Sequence, residues 1–302
     1  MKVDIESVNE SLGQGLVKRL VDEVTCALQA VVTQADEFVV NDTHWFWQNT
    51  RGSIRPTVVN SAHYITSNFQ NALERQGWEK EAIIDGQRFD GLLEFEEICD
   101  CYALDEDKFL PLLESMRATG GNNFGLKATS IFRHYVQSTT PFLSASVVEF
   151  LPMFDVDRRR FSYRVGLEFE TGNIASSFRA IDKLQGLYNN GRIDVGIFVT
   201  SKTKSDGAAR IWPVSNRNGS FEELRMRNYE AQRSYPHIDI SFRPDRYSPK
   251  AKYLSKDATY SMDFTGEILE IDGISYKKAV TPQGEAKLLP ILAATSIKRD
   301  VP

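Results

Sequence analysis

Two glutamates separated by one residue, Glu168 and Glu170, are the side chains of this sequence best suited to chemistry. They end the run FSYRVGLEFE, whose β-branched and apolar residues are typical of a strand. Residues i and i+2 of a strand face the same side, so we expect the two carboxylates to point together. Paired buried carboxylates require a positive charge, and their hard oxygen atoms suit Mg²⁺. An edge strand with two solvated glutamates is the alternative that this pattern leaves open.

The residues after these glutamates predict a turn that leads directly into a helix. Thr171, Gly172 and Asn173 precede the run IASSFRAIDKLQGLYNNG, whose apolar residues recur at helical spacing. Ligands of open α/β sheets bind outside the carboxyl ends of strands, and a helix N-terminus attracts phosphate. A carboxylate-bound metal beside a phosphate is the arrangement that hydrolysis of a phosphodiester requires.

The neighbouring segments predict the strands that hold this pair in place. The run SVVEFLPMF, residues 146–154, predicts a strand, and residues 158–160, three consecutive arginines, lie near a connecting turn. The run RIDVGIFVT, residues 192–200, predicts a buried strand. Residues 147–200 are therefore expected to form strand, hairpin, strand, helix and strand, with a parallel crossover at the end. The runs SYPHIDISF and TGEILEIDGISYKKAV predict further strands.

The first part of the chain has a different pattern. Helices are predicted over residues 5–34, 57–76 and 105–119, with a loop over 39–56. This division predicts a mainly helical N-terminal region, residues 1–120, and a second region, residues 121–302, that carries the paired glutamates. One continuous domain is the alternative.

Composition limits the class of protein. The chain has 302 residues, of which 41% are hydrophobic and 25% charged, which is typical of a globular protein. No apolar run reaches the ~20 residues of a membrane helix, and acidic residues near the N-terminus disfavour a secretion signal, which predicts a cytoplasmic protein. A net charge of −5 disfavours a general nucleic-acid coat but permits a specific binder with a local basic cleft. The three cysteines are expected to be reduced thiols.

One stretch resembles a known family. Residues 164–197, RVGLEFETGNIASSFRAIDKLQGLYNNGRIDVGI, closely resemble the catalytic segment of the BamHI/BglII-type type II restriction endonucleases, and EFETGNI carries the resemblance most specifically. The run SFEELR, residues 220–225, is also similar to a segment of that family. The resemblance implies an α/β fold with a PD-(D/E)xK restriction-endonuclease-like core, a central mixed sheet flanked by helices. The mainly helical N-terminal part would be added to this core.

The resemblance also implies roles for acidic residues. Glu168 would bind the metal, and Glu170, at the position that lysine occupies in most relatives of this superfamily, would be the general base. A further metal-binding acid is expected on the preceding strand of a hairpin, and Asp155 in the run FDV fits best. Asp157, two residues further on, and Glu149 are the alternatives. The implied cofactor is Mg²⁺.

Residues that contact DNA follow from the same resemblance. An asparagine after the motif and side chains on the following helix would contact DNA, and a later polar pair would contact bases. These residues are Asn173, Ser176, Arg179, Asn216 and Arg217. An arginine can bind guanine through two hydrogen bonds, and asparagine suits adenine. A polar turn is the alternative for Asn216 and Arg217.

The function implied is site-specific cleavage of double-stranded DNA. The resemblance implies a Mg²⁺-dependent type II deoxyribonuclease that cuts a short palindromic site as a homodimer, in a restriction–modification system with a cognate DNA methyltransferase. A sequence-specific DNA-binding protein that no longer cleaves is one alternative, and an unrelated metal hydrolase is another. The four histidines lie away from the paired glutamates in sequence, which disfavours a zinc enzyme.

Overall fold

The computed structural model describes most of the chain. The described residues are 1–43, 45–57, 60–118, 123–136, 139–171, 174–202, 204–206, 209–212, 220–229, 233–254 and 259–291. In these ranges no helix is long and apolar enough to cross a membrane.

Helices occur in both the predicted N-terminal region and the rest of the chain. They are α1 (Gln14–Gln29), α2 (Ala62–Glu74), α3 (Glu106–Ala118), α4 (Asn123–Tyr135), α5 (Ile174–Asn189) and α6 (Phe221–Met226), with a 3-10 helix over Ala145–Met153. The prediction for α3 is confirmed. The predicted start of the first helix at residue 5 is wrong, because residues 2–8 form a strand. The second helix begins five residues later than predicted, where the Ser61 hydroxyl accepts a hydrogen bond from the His63 N–H.

The strands form one central sheet and several smaller ones. They are β1 (Lys2–Val8), β2 (Val39–Val40), β3 (Trp45–Gln48), β4 (Ile54–Thr57), β5 (Glu79–Lys80), β6 (Ile83–Ile84), β7 (Gln87–Arg88), β8 (Gly91–Leu104), β9 (Thr139–Thr140), β10 (Phe154–Glu170), β11 (Val195–Ser201), β12 (Lys204–Asp206), β13 (Ala209–Trp212), β14 (His237–Arg243), β15 (Arg246–Tyr247), β16 (Tyr253–Leu254), β17 (Thr259–Tyr260), β18 (Asp263–Ile271), β19 (Ile274–Val280) and β20 (Ala286–Pro290). The strands predicted in the runs RIDVGIFVT, SYPHIDISF and TGEILEIDGISYKKAV are confirmed as β11, β14 and the β18–β19 hairpin.

The central sheet has the strand order β1-β14-β11-β10-β8-β5, with β9 paired to β8. Its middle strands β10, β11 and β14 are parallel, and β1 and β8 pair antiparallel to their neighbours. The expected α/β fold with a central mixed sheet flanked by helices is confirmed. Strands from both predicted regions lie in this sheet, so we propose the alternative of one continuous domain.

The two faces of the sheet have separate apolar cores. On one face α1 and α2 pack with Leu167, Phe169 and Val199 of the central strands. On the other face α5 and α6 pack around Phe198. Side chains therefore alternate along β10, and an even-numbered residue such as Glu168 faces α5.

A long two-stranded ribbon extends from the central sheet. β8 and β10 pair continuously from Leu104 opposite Phe154 to Gly91 opposite Leu167. At the far end α3, α4 and the 3-10 helix enclose their own core around Phe109 and Phe150. Residues 105–153 are thus inserted between two strands that are neighbours in the sheet.

This insertion corrects the predicted hairpin. Residues 145–153 form a 3-10 helix, not a strand, and residues 154–170 form one uninterrupted strand without a turn at residues 158–160. Ser144 accepts a hydrogen bond from the Ser146 N–H and begins the 3-10 helix. Pro152 has no backbone donor and disfavours a central strand. Val147 and Phe150, whose apolar side chains suggested a strand, are buried by this helix in the core around Phe109, while Val148 is exposed.

Candidate functional site

Glu168 and Glu170 lie at the carboxyl end of β10, in the middle of the sheet. They are opposite Phe198 and Thr200 of the parallel strand β11, and both line the same groove beside α5. Glu168 is only 3% exposed and Glu170 is half-buried. The alternative of a solvated edge strand is therefore wrong, since β10 has a neighbour on each side.

Asp90 lies directly across from Glu168. The antiparallel register pairs Gly91 with Leu167, so the preceding residue, Asp90, falls opposite Glu168. The Phe169 N–H donates a hydrogen bond to Asp90 Oδ2 at 2.8 Å, which fixes the carboxylate against β10. Gln70 of α2 donates from Nε2 to Asp90 Oδ1 at 2.9 Å. Asp90, Glu168 and Glu170 thus line one depression at this end of the sheet, together with a fourth carboxylate, that of Glu81.

The acid predicted on a hairpin strand must be corrected. Asp155 lies on the same strand as Glu168, thirteen residues away, which at ~3.3 Å per residue is roughly 40 Å. It is exposed and its carboxylate binds the Lys108 ammonium at 3.0 Å. Asp157, also exposed, lies opposite Cys101 in the ribbon, and Glu149 lies in the 3-10 helix. None of these three acids lies beside the glutamate pair, because the predicted hairpin, which would have brought them there, does not form.

Burial raises the pKa values of the Glu168 and Asp90 carboxyl groups. Desolvation raises the pKa of Glu168 to about 8, and the negative charges of Asp90 and Glu170 act in the same direction. The Lys183 ammonium opposes this rise only in part. Desolvation also raises the pKa of Asp90, against hydrogen bonds from Phe169 and Gln70 and the charges of Lys183 and Arg88.

Helix α5 supplies cationic and hydroxyl groups to the groove. Ser176, Arg179 and Lys183 recur at the spacing of one helix face and line the groove with the glutamates. Arg179 Nη2 donates to Ser176 Oγ at 3.1 Å. The structure therefore brings two of the residues predicted to contact DNA next to Glu168 and Glu170. The other three, Asn173, Asn216 and Arg217, lie outside the described residues.

Helix α2 lines the opposite side of the carboxylates. His63, Thr66, Ser67 and Gln70 face the depression that contains Asp90. Their hydroxyl, imidazole and amide groups are hydrogen-bonding partners of the kind that position water or phosphate.

Sequence reasoning missed three residues of this site. Asp90 stands in the run RFDGLLEFEE, where an aspartate–glycine pair begins an alternating strand, and that pattern was the available signal. Lys183 is seven residues after Ser176 on the same helix face, a spacing that could have been read from the sequence. Gln70 has no comparable signal, because only tertiary packing brings α2 to Asp90.

A family model described as restriction endonuclease BamHI matches residues 2–238 of this chain, more than three quarters of its length. The chain belongs to the BamHI restriction endonuclease family. The resemblance stated from the sequence is thereby confirmed. The type II restriction enzyme BamHI of Bacillus amyloliquefaciens is 32% identical over 93 residues, which are 31% of this chain and 41% of that enzyme. The matched part thus spans less than half of that relative.

Members of the BamHI family generally use a divalent metal, and the donor atoms of this site fit one. Glu168 Oε1 is buried and lies 2.5 Å from the Lys183 ammonium, and it accepts no well-oriented hydrogen bond from the described residues. Asp90 and Glu168 offer oxygen ligands only, and Mg²⁺ characteristically uses one or two carboxylates together with water and phosphate. In the part of the chain that the structure describes, no three His, Cys, Asp or Glu side chains converge as a complete metal site. The site thus fits an ion whose remaining ligands come from water and substrate.

Proposed function

We propose that this protein is a type II restriction endonuclease that hydrolyses double-stranded DNA in a Mg²⁺-dependent reaction. The observation that carries the proposal is the pair formed by half-buried Asp90 and buried Glu168, with Glu170 beside it at the carboxyl end of a central parallel strand. Membership of the BamHI family supports the same activity. We propose further that it acts at a short palindromic site, in the cytoplasm, within a restriction–modification system that includes a cognate DNA methyltransferase.

Asp90 and Glu168 would hold the metal. When bound, Mg²⁺ supplies a Lewis acid for the phosphoryl oxygen and lowers the pKa of water. The residues of the chain hold these carboxylates in place: the Phe169 N–H and the Gln70 amide orient Asp90, and the two flanking strands bury Glu168. Because Glu170 is less buried than Glu168, it is the carboxylate better able to exchange protons with water.

Glu170 is proposed as the general base. It takes a proton from the attacking water as the new phosphorus–oxygen bond forms and the bond to the leaving sugar oxygen breaks. The leaving oxygen then takes up a proton from solvent. Three cations line the groove and the adjoining depression: Arg179, Lys183 and Arg88. Their positive charges would stabilise the negative charge of the phosphate.

The proposed DNA contacts use the groove beside α5. Ser176 and Arg179 are placed to contact the phosphate backbone near the scissile bond, as their position next to Glu170 suggests. Asn173, Asn216 and Arg217 are proposed as further DNA contacts on the strength of the sequence resemblance. A palindromic site has two-fold symmetry, so a homodimer would let each subunit cut one strand.

The deciding experiment is cleavage of unmethylated DNA. Purified protein is incubated with amplified DNA of mixed sequence, with Mg²⁺ or with EDTA, and the products are separated on a gel. Discrete double-strand fragments with Mg²⁺ and intact DNA with EDTA are expected, and Glu170→Gln is the matched inactive control. If the DNA stays intact but the protein shifts a specific fragment in a gel, the protein is a DNA binder without cleavage. Light scattering of the protein on its DNA site tests the homodimer.

A further inference from the structure

Lys183 makes three contacts inside the carboxylate site. Its Nζ lies 2.5 Å from Glu168 Oε1 and donates a hydrogen bond to the Arg88 carbonyl oxygen at 2.6 Å. It also lies 4.4 Å from the centre of the Phe89 ring. The side chain is only 22% exposed and that of Glu168 only 4%, so water screens this ion pair weakly.

The ion pair differs from the surface pairs of this protein. Lys278, for example, contacts Glu267 at 2.7 Å in the β18–β19 hairpin, where the carboxylate is 45% exposed. Glu168 is instead buried beside Asp90 and Glu170, so a cation there has several negative charges to offset. Removing one partner of such a buried pair costs far more than removing one partner of an exposed pair.

Lys183 and a divalent ion would require the same oxygen. Mg²⁺ binds carboxylate oxygen at ~2.0–2.1 Å, and an ammonium at 2.5 Å from that oxygen would lie within ~5 Å of the metal. Two cations this close in a poorly screened site repel each other strongly. The flexible four-carbon stem of lysine allows the ammonium to withdraw, and the Arg88 carbonyl and the Phe89 ring offer it contacts that do not involve Glu168.

We propose that Lys183 is a resident cation of the carboxylate site, whose ammonium occupies Glu168 Oε1 before a divalent ion binds and leaves that oxygen when the ion takes its place. It is a positioning residue, since it keeps the carboxylates together in the metal-free protein. The inference rests on the proposed function only in assuming that the site takes a divalent ion. It adds that this ion must compete with a side chain of the protein.

The test compares Lys183→Met with the wild type in the absence of DNA. Thermal unfolding in EDTA measures the metal-free state, and isothermal titration with Ca²⁺ measures ion binding without cleavage. We expect Lys183→Met to unfold at a lower temperature in EDTA and to bind Ca²⁺ about tenfold more tightly or better, because a repelling charge is gone. Added Ca²⁺ should therefore raise the unfolding temperature of the variant more than that of the wild type.

Two further variants separate competition from a general loss of stability. Lys278→Met removes a partly exposed ion pair elsewhere and should leave Ca²⁺ affinity unchanged. Glu168→Gln removes the partner, so adding Lys183→Met to it should lower the unfolding temperature little further. Ca²⁺ binding by Lys183→Met that is equal to or weaker than that of the wild type would overturn the proposal.

A measurement on the wild type remains informative if Lys183→Met does not fold. The rate at which an acylating reagent modifies Lys183, followed by mass spectrometry, should rise when Ca²⁺ is added, because the ammonium leaves its ion pair. An unchanged or slower rate would contradict the inference, as would the absence of Ca²⁺ binding in both the wild type and Lys183→Met. Protein that binds Ca²⁺ with release of Lys183 yet leaves DNA intact with Mg²⁺ would support this inference and defeat the proposed nuclease.

Discussion

Asp90 and Glu168 face each other across two antiparallel strands although they are 78 positions apart in the sequence. The Phe169 N–H binds Asp90, so the strand that carries Glu168 also orients its partner. Glu168 is buried and Asp90 is half-buried beside it, and desolvation raises the pKa of both carboxyl groups. Such an arrangement is costly without positive charge, and Lys183 offsets the cost only in part, which makes this pair the strongest structural reason to expect a metal.

Asp90→Asn is expected to abolish cleavage while the protein remains folded. The amide keeps the shape of the side chain but is a poor ligand for Mg²⁺, so the loss should exceed the roughly 10–100-fold cost of removing a supporting residue. Cleavage rates at saturating Mg²⁺ measure the effect. Asp155→Asn is the matched control, since Asp155 is exposed at the far end of the ribbon. An inactive Asp155→Asn beside an active Asp90→Asn would restore the assignment made from the sequence.

The sequence predicted the parts of this site that depend on local pattern. Alternation in FSYRVGLEFE gave the strand and its paired glutamates, and apolar spacing gave α5 and hence the groove that Ser176 and Arg179 line. These features are set by residues within a few positions of each other.

The third carboxylate could not be predicted in the same way. Its identity depends on which strand lies beside β10, and 49 residues separate the ends of β8 and β10. Sequence proximity therefore favours the acids at 149, 155 and 157 as the partner, whereas the inserted residues 105–153 move the true neighbour of Glu168 far back in the sequence. The place of Gln70 likewise depends on how α2 packs against the sheet.

Glu170→Gln is expected to lower the cleavage rate by roughly 10²–10⁴-fold, the usual contribution of a general base. Specific DNA binding should persist, because the substitution affects the transition state more than the bound ground state. Single-turnover cleavage with Mg²⁺ and gel-shift titration with Ca²⁺ measure the two effects separately. Near-normal cleavage by this variant would exclude Glu170 as the base.

The stability of the metal-free protein is expected to fall as the pH rises. The pKa of Glu168 is about 8 in the folded protein against an ordinary value of 4.5, so the folded state holds this proton more tightly. The contribution of this proton to the free energy of unfolding is complete below pH 4.5 and is lost as the pH rises through about 8. In that range the free energy of unfolding falls by up to about 1.4 kcal/mol per pH unit. Denaturant unfolding in EDTA between pH 5 and pH 9 measures it. Glu168→Gln should flatten this dependence, and an equally steep decline in that variant would assign it to other groups.

DNA binding is expected to weaken steeply as salt concentration rises, despite the net charge of −5. Local cations in the groove must displace counterions from the DNA phosphates, so the logarithm of affinity should fall linearly with the logarithm of salt concentration. Arg179 lies in the groove beside Ser176, next to the glutamate pair, and Arg179→Ala should reduce the slope by about 1 if it contacts a phosphate.

Lys18→Ala is the control, because Lys18 is 77% exposed on α1, on the opposite face of the sheet from α5. Fluorescence anisotropy of labelled DNA with Ca²⁺, measured at several salt concentrations between roughly 50 and 200 mM, gives both slopes. Equal slopes for Arg179→Ala and the wild type would remove Arg179 from the phosphate contacts, and a loss of discrimination between DNA sequences would make it a base contact instead.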